Sequence, residues 1–347
     1  MIQSLEAALV PREWDDLPTI PGRLKSRPED FRVDEILGRT AAGQGDFLWV
    51  DVEKTGLSME QLFRILADGL GLNTADVSHA GLKDRHAVTR QTLSLPARVE
   101  GLLEGFEHDG VRIHGWVRHP APLHVGQLKG NRFGILLRGK NQDRLEDARA
   151  WVGRLQALGA PNGFGKQRFG VELETLRLGL AMIREELSVS QMGRMKRRLT
   201  ISAVQSHLFN LYVIRRMEMG ILRTVIEGDL CQRKGKSKYF PAHDPAETQA
   251  AYDRGHLRIT GPLFGAMQGR AAGRAGHLEL EVLEAAGLSM QHLQRYHSIQ
   301  RGGRRALVVA PRDMTVEEDP HGLRFSFFLP KGSYATEVLG QLMEKPL

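Results

Sequence analysis

The sequence predicts a mixed α+β or α/β protein in which one domain is inserted into another, and three observations carry that reading. Strand-like stretches accompany one well-marked helix between Phe31 and Ala97. A different texture, glycine-rich and then helical, fills the middle of the chain. Strand-like stretches return near the C-terminus in RALVVA (305–310) and LRFSFFLP (323–330), so the first texture brackets the second. No repeat, low-complexity tract or linker-like stretch separates them, which predicts a tightly joined insertion.

The elements follow in order. FRVDEI, DFLWVDVEK and TLSLPA mix β-branched, aromatic and apolar residues over strand lengths. Ser58 is a natural helix N-cap with Gln61 three residues on, and Leu62, Ile65, Leu66 and Leu70 repeat on one face of the helix it starts. Strand candidates follow near 111–117 and 131–138. A helix from about 143 to 158 lines up Leu145, Ala148, Trp151, Val152 and Leu155 in one apolar stripe, and Gly159 and Pro161 end it. The loop PNGFGKQRFG (161–170) opens the middle texture, with helical segments near 171–186 and 191–218.

Composition narrows the function. The chain has 347 residues, enough for one large or two medium domains, and its one cysteine, Cys231, rules out an internal disulfide or a multi-cysteine metal site. No run of about 18 apolar residues occurs, and the first twenty residues lack the pattern of a signal peptide, so a cytoplasmic protein is expected. Lys and Arg outnumber Asp and Glu by 48 to 41. That surplus, gathered in RMKRR (194–198), RKGKSK (233–238) and RGGRR (301–305), favours a polyanionic partner whose affinity falls steeply with salt, although any single cluster is ordinarily a solvated face.

Several chemistries fail on spacing. Gly159 stands five residues before Gly165, and Gln167 follows Lys166, so the loop is not a phosphate-binding Walker motif. The thirteen histidines form neither HExxH nor a His/Cys cluster, and no GxGxxG follows a strand. Neither a metal nor a nicotinamide or flavin cofactor is implied.

One stretch stands out, HAGLKDRHAVTRQ (79–91), which holds Asp84 between Lys83 and Arg85. Adjacent cations favour the ionised carboxylate and thus a charged nucleophile or base, although spacing alone favours an ion pair on a surface turn.

This stretch resembles the signature of the tRNA pseudouridine synthase D family, approximately G-x-K-D-[RK]-x-A-x-T-x-Q. Gly81, Lys83, Asp84, Arg85, Ala87, Thr89 and Gln91 fit it. LKSRPEDFRVDE (24–35), LKGNRF (128–133), PNGFGKQRFG (161–170), ISAVQSHLFN (201–210) and LPKGSYAT (329–336) resemble further family blocks, in the family's order.

The resemblance implies an α+β pseudouridine synthase core, a mixed and largely antiparallel sheet with flanking helices, from residues 1–156 and 304–347. An inserted α/β domain particular to the family would span 157–303. It implies an isomerase that acts on tRNA, expected at uridine 13, without a cofactor. Asp84 would attack the uridine, whose base leaves the ribose, turns and is reattached through carbon 5. RNA, and not DNA, would lie in a basic cleft, and the enzyme would be a monomer outside the membrane.

By the same resemblance Asn131 and Phe133 occupy substrate positions, with Phe133 as the ring on which the extruded base stacks. Phe31 matches a substrate contact and Lys25 an active-site lysine that could balance Asp84 or a phosphate. Tyr334 stands where at least some relatives carry phenylalanine, and Lys83 and Arg85 flank the nucleophile. Lys166 and Arg168 suit phosphate contact, while Gly163 replaces an aromatic common in the family's loop. Two readings compete: an RNA-binding protein that keeps the fold without the activity, and an aspartate-dependent glycosidase or nucleosidase, which would ordinarily need a second carboxylate.

Overall fold

The structure, a computed structural model, describes residues 9–187, 192–265, 268–296 and 301–344. They divide into two compact units. One comprises Leu17–Ala157 and Pro311–Ala335, and the other Leu158–Ala310 with the described residues before Leu17 and after Ala335.

In chain order the first unit begins with β1 (Phe31–Leu37), β2 (Phe47–Thr55), α1 (Met59–Leu70), β3 (Ser78–His79), β4 (Val88–Pro96), β5 (Val111–His119), β6 (Leu128–Arg138) and α2 (Leu145–Leu158). α1 starts where its cap predicts. Ser58 Oγ accepts the Gln61 N–H at 3.1 Å, Gln61 Oε1 accepts the Ser58 N–H at 2.9 Å, and Gly71 ends the helix at φ +63°. The predicted stripe of α2 is buried at Ala148, Trp151, Val152 and Leu155, and Trp151 donates its indole N–H to the Pro18 carbonyl at 2.8 Å.

The chain continues through the second unit as β7 (Ala160–Pro161), α3 (Glu174–Ile183), α4 (Arg194–Glu218), β8 (Leu230–Arg233), β9 (Tyr239–Pro241), α5 (Pro245–Asp253), β10 (Leu257–Leu263), α6 (Gly273–Ala285), α7 (Met290–Gln294), β11 (Gly303–Ala306) and β12 (Val308–Val309). It returns to the first unit as β13 (Arg312–Asp319) and β14 (Gly322–Pro330), and α8 (Ala335–Gly340) follows.

The first unit's sheet runs β13-β14-β6-β1-β4-β2-β5, with β3 beside β4. Only the β1–β4 pairing is parallel, so the sheet is the mixed, largely antiparallel one expected of an α+β fold. Its register decides what meets the loop of residues 80–87 between β3 and β4. Val33 lies opposite both Phe133 and Thr89, Phe133 opposite Phe327, and Thr89 opposite Lys54. With a period of two, one face therefore carries Phe31, Val33 and Glu35 of β1, Asn131 and Phe133 of β6, Phe327 of β14, Thr89 and Gln91 of β4, and Val52 and Lys54 of β2.

Two sequence blocks acquire structural reasons here. In LKGNRF, a Cβ on Gly130 would lie 2.1 Å from the Leu329 carbonyl oxygen across the β6–β14 pair, so only glycine fits. In PEDF, buried Asp30 accepts two bonds from the Arg138 guanidinium at 2.6 and 2.9 Å. Those hydrogen bonds hold its carboxyl below the usual carboxylate range and fix the entry to β1.

The second unit packs α3, α4 and α6 with an antiparallel sheet of order β11-β10-β8-β9. RALVVA belongs here. Ala306 pairs with Thr260 of β10, and Val308 pairs with Pro161 of β7. The boundary read near 304 therefore falls inside this sheet, and the chain crosses back at Pro311. Residues 9–16 group with this unit as well, through the Glu13–Arg223 ion pair and Val10 in its core.

The basic clusters also separate. RMKRR forms the exposed first turns of α4, apart from half-buried Arg197, and RKGKSK forms the exposed β8–β9 turn. RGGRR is only partly exposed. Arg304 is buried and donates to Glu279 at 2.5 Å and to the Thr260 carbonyl at 2.6 Å, while Arg305 grips Asn162 and lies over the Phe164 ring at 4.1 Å. That cluster is not the solvated face its charge suggests, because two of its arginines satisfy buried acceptors.

Candidate active site

Asp84 sits in the loop of residues 80–87 between β3 and β4. The loop is tied down along its length. The Ala80 carbonyl accepts the Gly126 N–H at 2.7 Å, the Ala87 carbonyl accepts the Gly56 N–H at 3.2 Å, and the Asp84 carbonyl accepts the Lys54 ammonium at 2.6 Å. The carboxylate itself faces outward, with its side chain 48% exposed, and Lys25 Nζ lies 2.5 Å from its Oδ2. A loop fixed by its backbone, with an outward acid held by one lysine, is an arrangement that suits a positioned nucleophile.

Lys25 reaches Asp84 from a left-handed backbone at φ +55°, an arrangement that costs about 1 kcal/mol or more in a non-glycine residue. Its ammonium also lies 4.4 Å from the centre of the Phe31 ring. Phe31, Lys25 and Asp84 thus form one contiguous group, as the sequence blocks that contain them suggest.

Lys83 points the other way. Its side chain is almost wholly buried and donates to Glu35 Oε2 at 2.6 Å and to Asn131 Oδ1 at 2.8 Å. Glu35 lies opposite Asn131 in the β1–β6 pair, so one buried lysine joins the loop to both strands. Lys83 and Asn131 are therefore brought together beneath the loop, while Arg85 is exposed beside Asp84.

The phenylalanines form an apolar floor. Phe31 and Phe133 meet edge to face at 6.1 Å, and Phe133 stacks on Phe327 at 5.5 Å with an interplanar angle of 29°. Phe31 and Phe133 are both buried, and Phe327 covers one face of Phe133. Tyr334, between β14 and α8, is the candidate ring with substantial exposure, 40%.

Lys166 and Arg168 belong to the other unit. Lys166 is exposed, whereas the Arg168 guanidinium is held by the hydroxyls of Ser202 and Ser206. The loop around them is rigid. Asn210 exchanges two hydrogen bonds with the Phe164 backbone at 2.8 and 2.9 Å. Gly163 is buried, and a Cβ there would stand 2.7 Å from Val10 Cγ2, so Val10 occupies the space a larger residue would need.

Sequence reasoning missed Lys54, Glu35 and Phe327. Alternation in β2 gives the signal for Lys54, since Leu48, Val50, Val52 and Lys54 fall on one buried face. Burial pushes the Lys54 ammonium down to about 8, against the pull of Asp84. A groove of about 740 Å³ lies on the opposite face of this sheet, lined by Asp34, Asp51, Arg90 and Arg132 among others, but Arg90 is locked on Asp51 in two parallel bonds there. Among the described residues no three or more His, Cys, Asp or Glu side chains are grouped to hold a metal, and no helix is long and apolar enough to cross a membrane.

The sequence pattern of the tRNA pseudouridine synthase D (TruD) family matches residues 14–192 and 186–342. A tRNA pseudouridine synthase D of Thermus thermophilus is 37% identical over 95% of this chain and 90% of its own length. The chain belongs to the tRNA pseudouridine synthase D family. Another member, from Anaeromyxobacter dehalogenans, is 36% identical over 94% of each chain. A crystal structure of a TruD protein from Methanosarcina mazei shares the fold, with a TM-score of 0.76 over 98% of both chains at 23% identity.

Proposed function

We propose that this chain is a tRNA pseudouridine synthase that isomerises one uridine, expected at position 13, with Asp84 as nucleophile. The unit that carries Asp84 is the catalytic domain on this reading, and Leu158–Ala310 makes up most of the family's inserted domain. The reaction breaks the bond from the ribose anomeric carbon to N1 of the base and forms one to C5. The C5 proton leaves to solvent and N1 gains a proton. Atoms and electrons balance with no cofactor, because product and substrate are isomers.

The observation that carries the reading is a single outward carboxylate, Asp84, held 2.5 Å from Lys25 on a loop anchored from below. A glycosidase would ask for a second acid near it, and Glu35, on the same sheet face, is committed to Lys83 at 2.6 Å. The apolar floor of Phe31 and Phe133 suits a detached base that must turn without meeting water. Tyr334 offers an exposed ring for stacking, and Arg85 a cation for a neighbouring phosphate. Lys166, with the exposed turns at 194–198 and 233–238, supplies further cations for the RNA backbone, and Arg168 acts by holding its loop.

The test follows from the proton balance. With tRNA carrying tritium at uridine C5, the protein should release tritium to water without freeing uracil. Free uracil would make it a nucleosidase, and binding without release of either would leave an RNA-binding protein.

A further inference from the structure

Lys54 breaks the pattern of its strand. It is the fourth inward position of β2, after Leu48, Val50 and Val52, and it is fully buried. A buried ammonium is costly unless it makes an interaction that nothing apolar could replace. Its hydrogen-bond partner is the backbone carbonyl of Asp84, at 2.6 Å. Lysine thus reaches from the sheet to the residue whose side chain faces outward at the site.

The surroundings fit a positioning device better than a packing accident. Thr89 lies directly opposite Lys54, and Gln91 lies two residues along the same strand face. Thr89 Oγ1 and Gln91 Oε1 are buried and have no hydrogen-bond partner among the described residues, so β4 presents polar atoms on the face that carries Lys54. Both belong to the thirteen-residue block His79–Gln91 that contains Asp84. The charges nearby are Asp84, which favours the ammonium, and Lys83, which opposes it and is itself paired with Glu35. From β5 the residue opposite is Val111, which is apolar.

Building on the synthase reading above, we propose that Lys54 is a positioning residue, whose ammonium fixes the Asp84 peptide so that the carboxylate meets Lys25 and the target uridine. Lys25 acts on the carboxylate from the side and Lys54 on the backbone from below, so the two cations have separate tasks. Near neutral pH the Lys54 amine is mostly charged, and raising the pH through about 8 removes the charge and weakens the anchor.

The experiment compares wild type with Lys54→Met, which keeps the length and apolar stem of the side chain. Four quantities are measured: melting temperature, RNA affinity, kcat/KM from pH 6 to 9.5, and amide hydrogen exchange across residues 80–87. The variant should melt close to wild type, because relief of a buried charge offsets the lost bond to the part-buried Asp84 carbonyl. Its RNA affinity should stay within about threefold, while kcat falls about 100-fold. Wild-type kcat/KM should fall on the alkaline side with a midpoint near 8, and the variant should lose that limb. Titration of the uridine itself would act on both proteins alike. Exchange in the 80–87 loop should rise in the variant whether or not the RNA assay succeeds. Unchanged loop exchange, or a variant within threefold of wild type in kcat, would overturn the inference. A parallel fall in melting temperature, affinity and rate would also overturn it, as a merely structural role. A wild type that makes no pseudouridine would instead refute the synthase reading, and the exchange result would still decide whether Lys54 holds the loop.

Discussion

Asp84→Asn is expected to lower pseudouridine formation at saturating RNA by about 10⁴-fold or more, with RNA affinity within about threefold of wild type. On the proposed mechanism the amide keeps the shape of the carboxylate but cannot form the covalent bond, and Glu35 of β1 is committed to Lys83. Stability should change by less than about 0.5 kcal/mol, because the side chain is half exposed and the loop is held through its backbone. Single-turnover assays, filter binding and a thermal melt read the three quantities. A loss of affinity equal to the loss of rate would assign Asp84 to binding instead.

The largest expected effect on stability lies in the other unit. Arg216 on α4 is fully buried and donates to both carboxylate oxygens of Asp229, at 2.7 and 3.2 Å. It also donates to Tyr212 Oη at 3.2 Å, to the Ile221 carbonyl and to the Thr224 carbonyl at 2.5 Å. Asp229 further accepts the Ile226 N–H at 2.9 Å. Arg216→Ala leaves a buried carboxylate and two carbonyls without their donor, and should cost about 3–5 kcal/mol in urea unfolding. Asp229→Leu together with Arg216→Met should cost less than Arg216→Ala alone, because no buried charge is then left unpaired. A double variant as unstable as the single one would mean that the carbonyl contacts of Arg216 matter more than its charge.

What could be read from the sequence was what depends on near neighbours. The Ser58 cap, the apolar stripes of α1 and α2, and the strand composition of LRFSFFLP are local patterns, and each element appears within a residue or two of where it was expected. Membership of a sheet is not local. RALVVA has the composition of the first unit's strands, but its partners, Thr260 and Pro161, place it in the second. Charge reads least well. Arg304 and Lys83 look like surface cations in the sequence, yet each is buried against a carboxylate far along the chain, Glu279 and Glu35 respectively.

The same limit governs the site. The motif around Asp84 marks the loop and, with LKSRPEDF, brings in Lys25 and Phe31. The place of its Thr89 shows only when β4 is laid beside β2 and Lys54 appears opposite it, with Gln91 two residues along the same face opposite Val52. Phe133, expected as the stacking ring, lies beneath Phe31 and against Phe327, so the surface it offers a base depends on neighbours from two other strands.

The most direct test of the account is carbodiimide mapping of pseudouridine in unmodified tRNA incubated, without added metal or cofactor, with wild type or Asp84→Asn. The account predicts one marked uridine, at position 13, with the wild type alone. A wild type that binds the tRNA yet marks no uridine, or an Asp84→Asn variant that marks the same one, would contradict it.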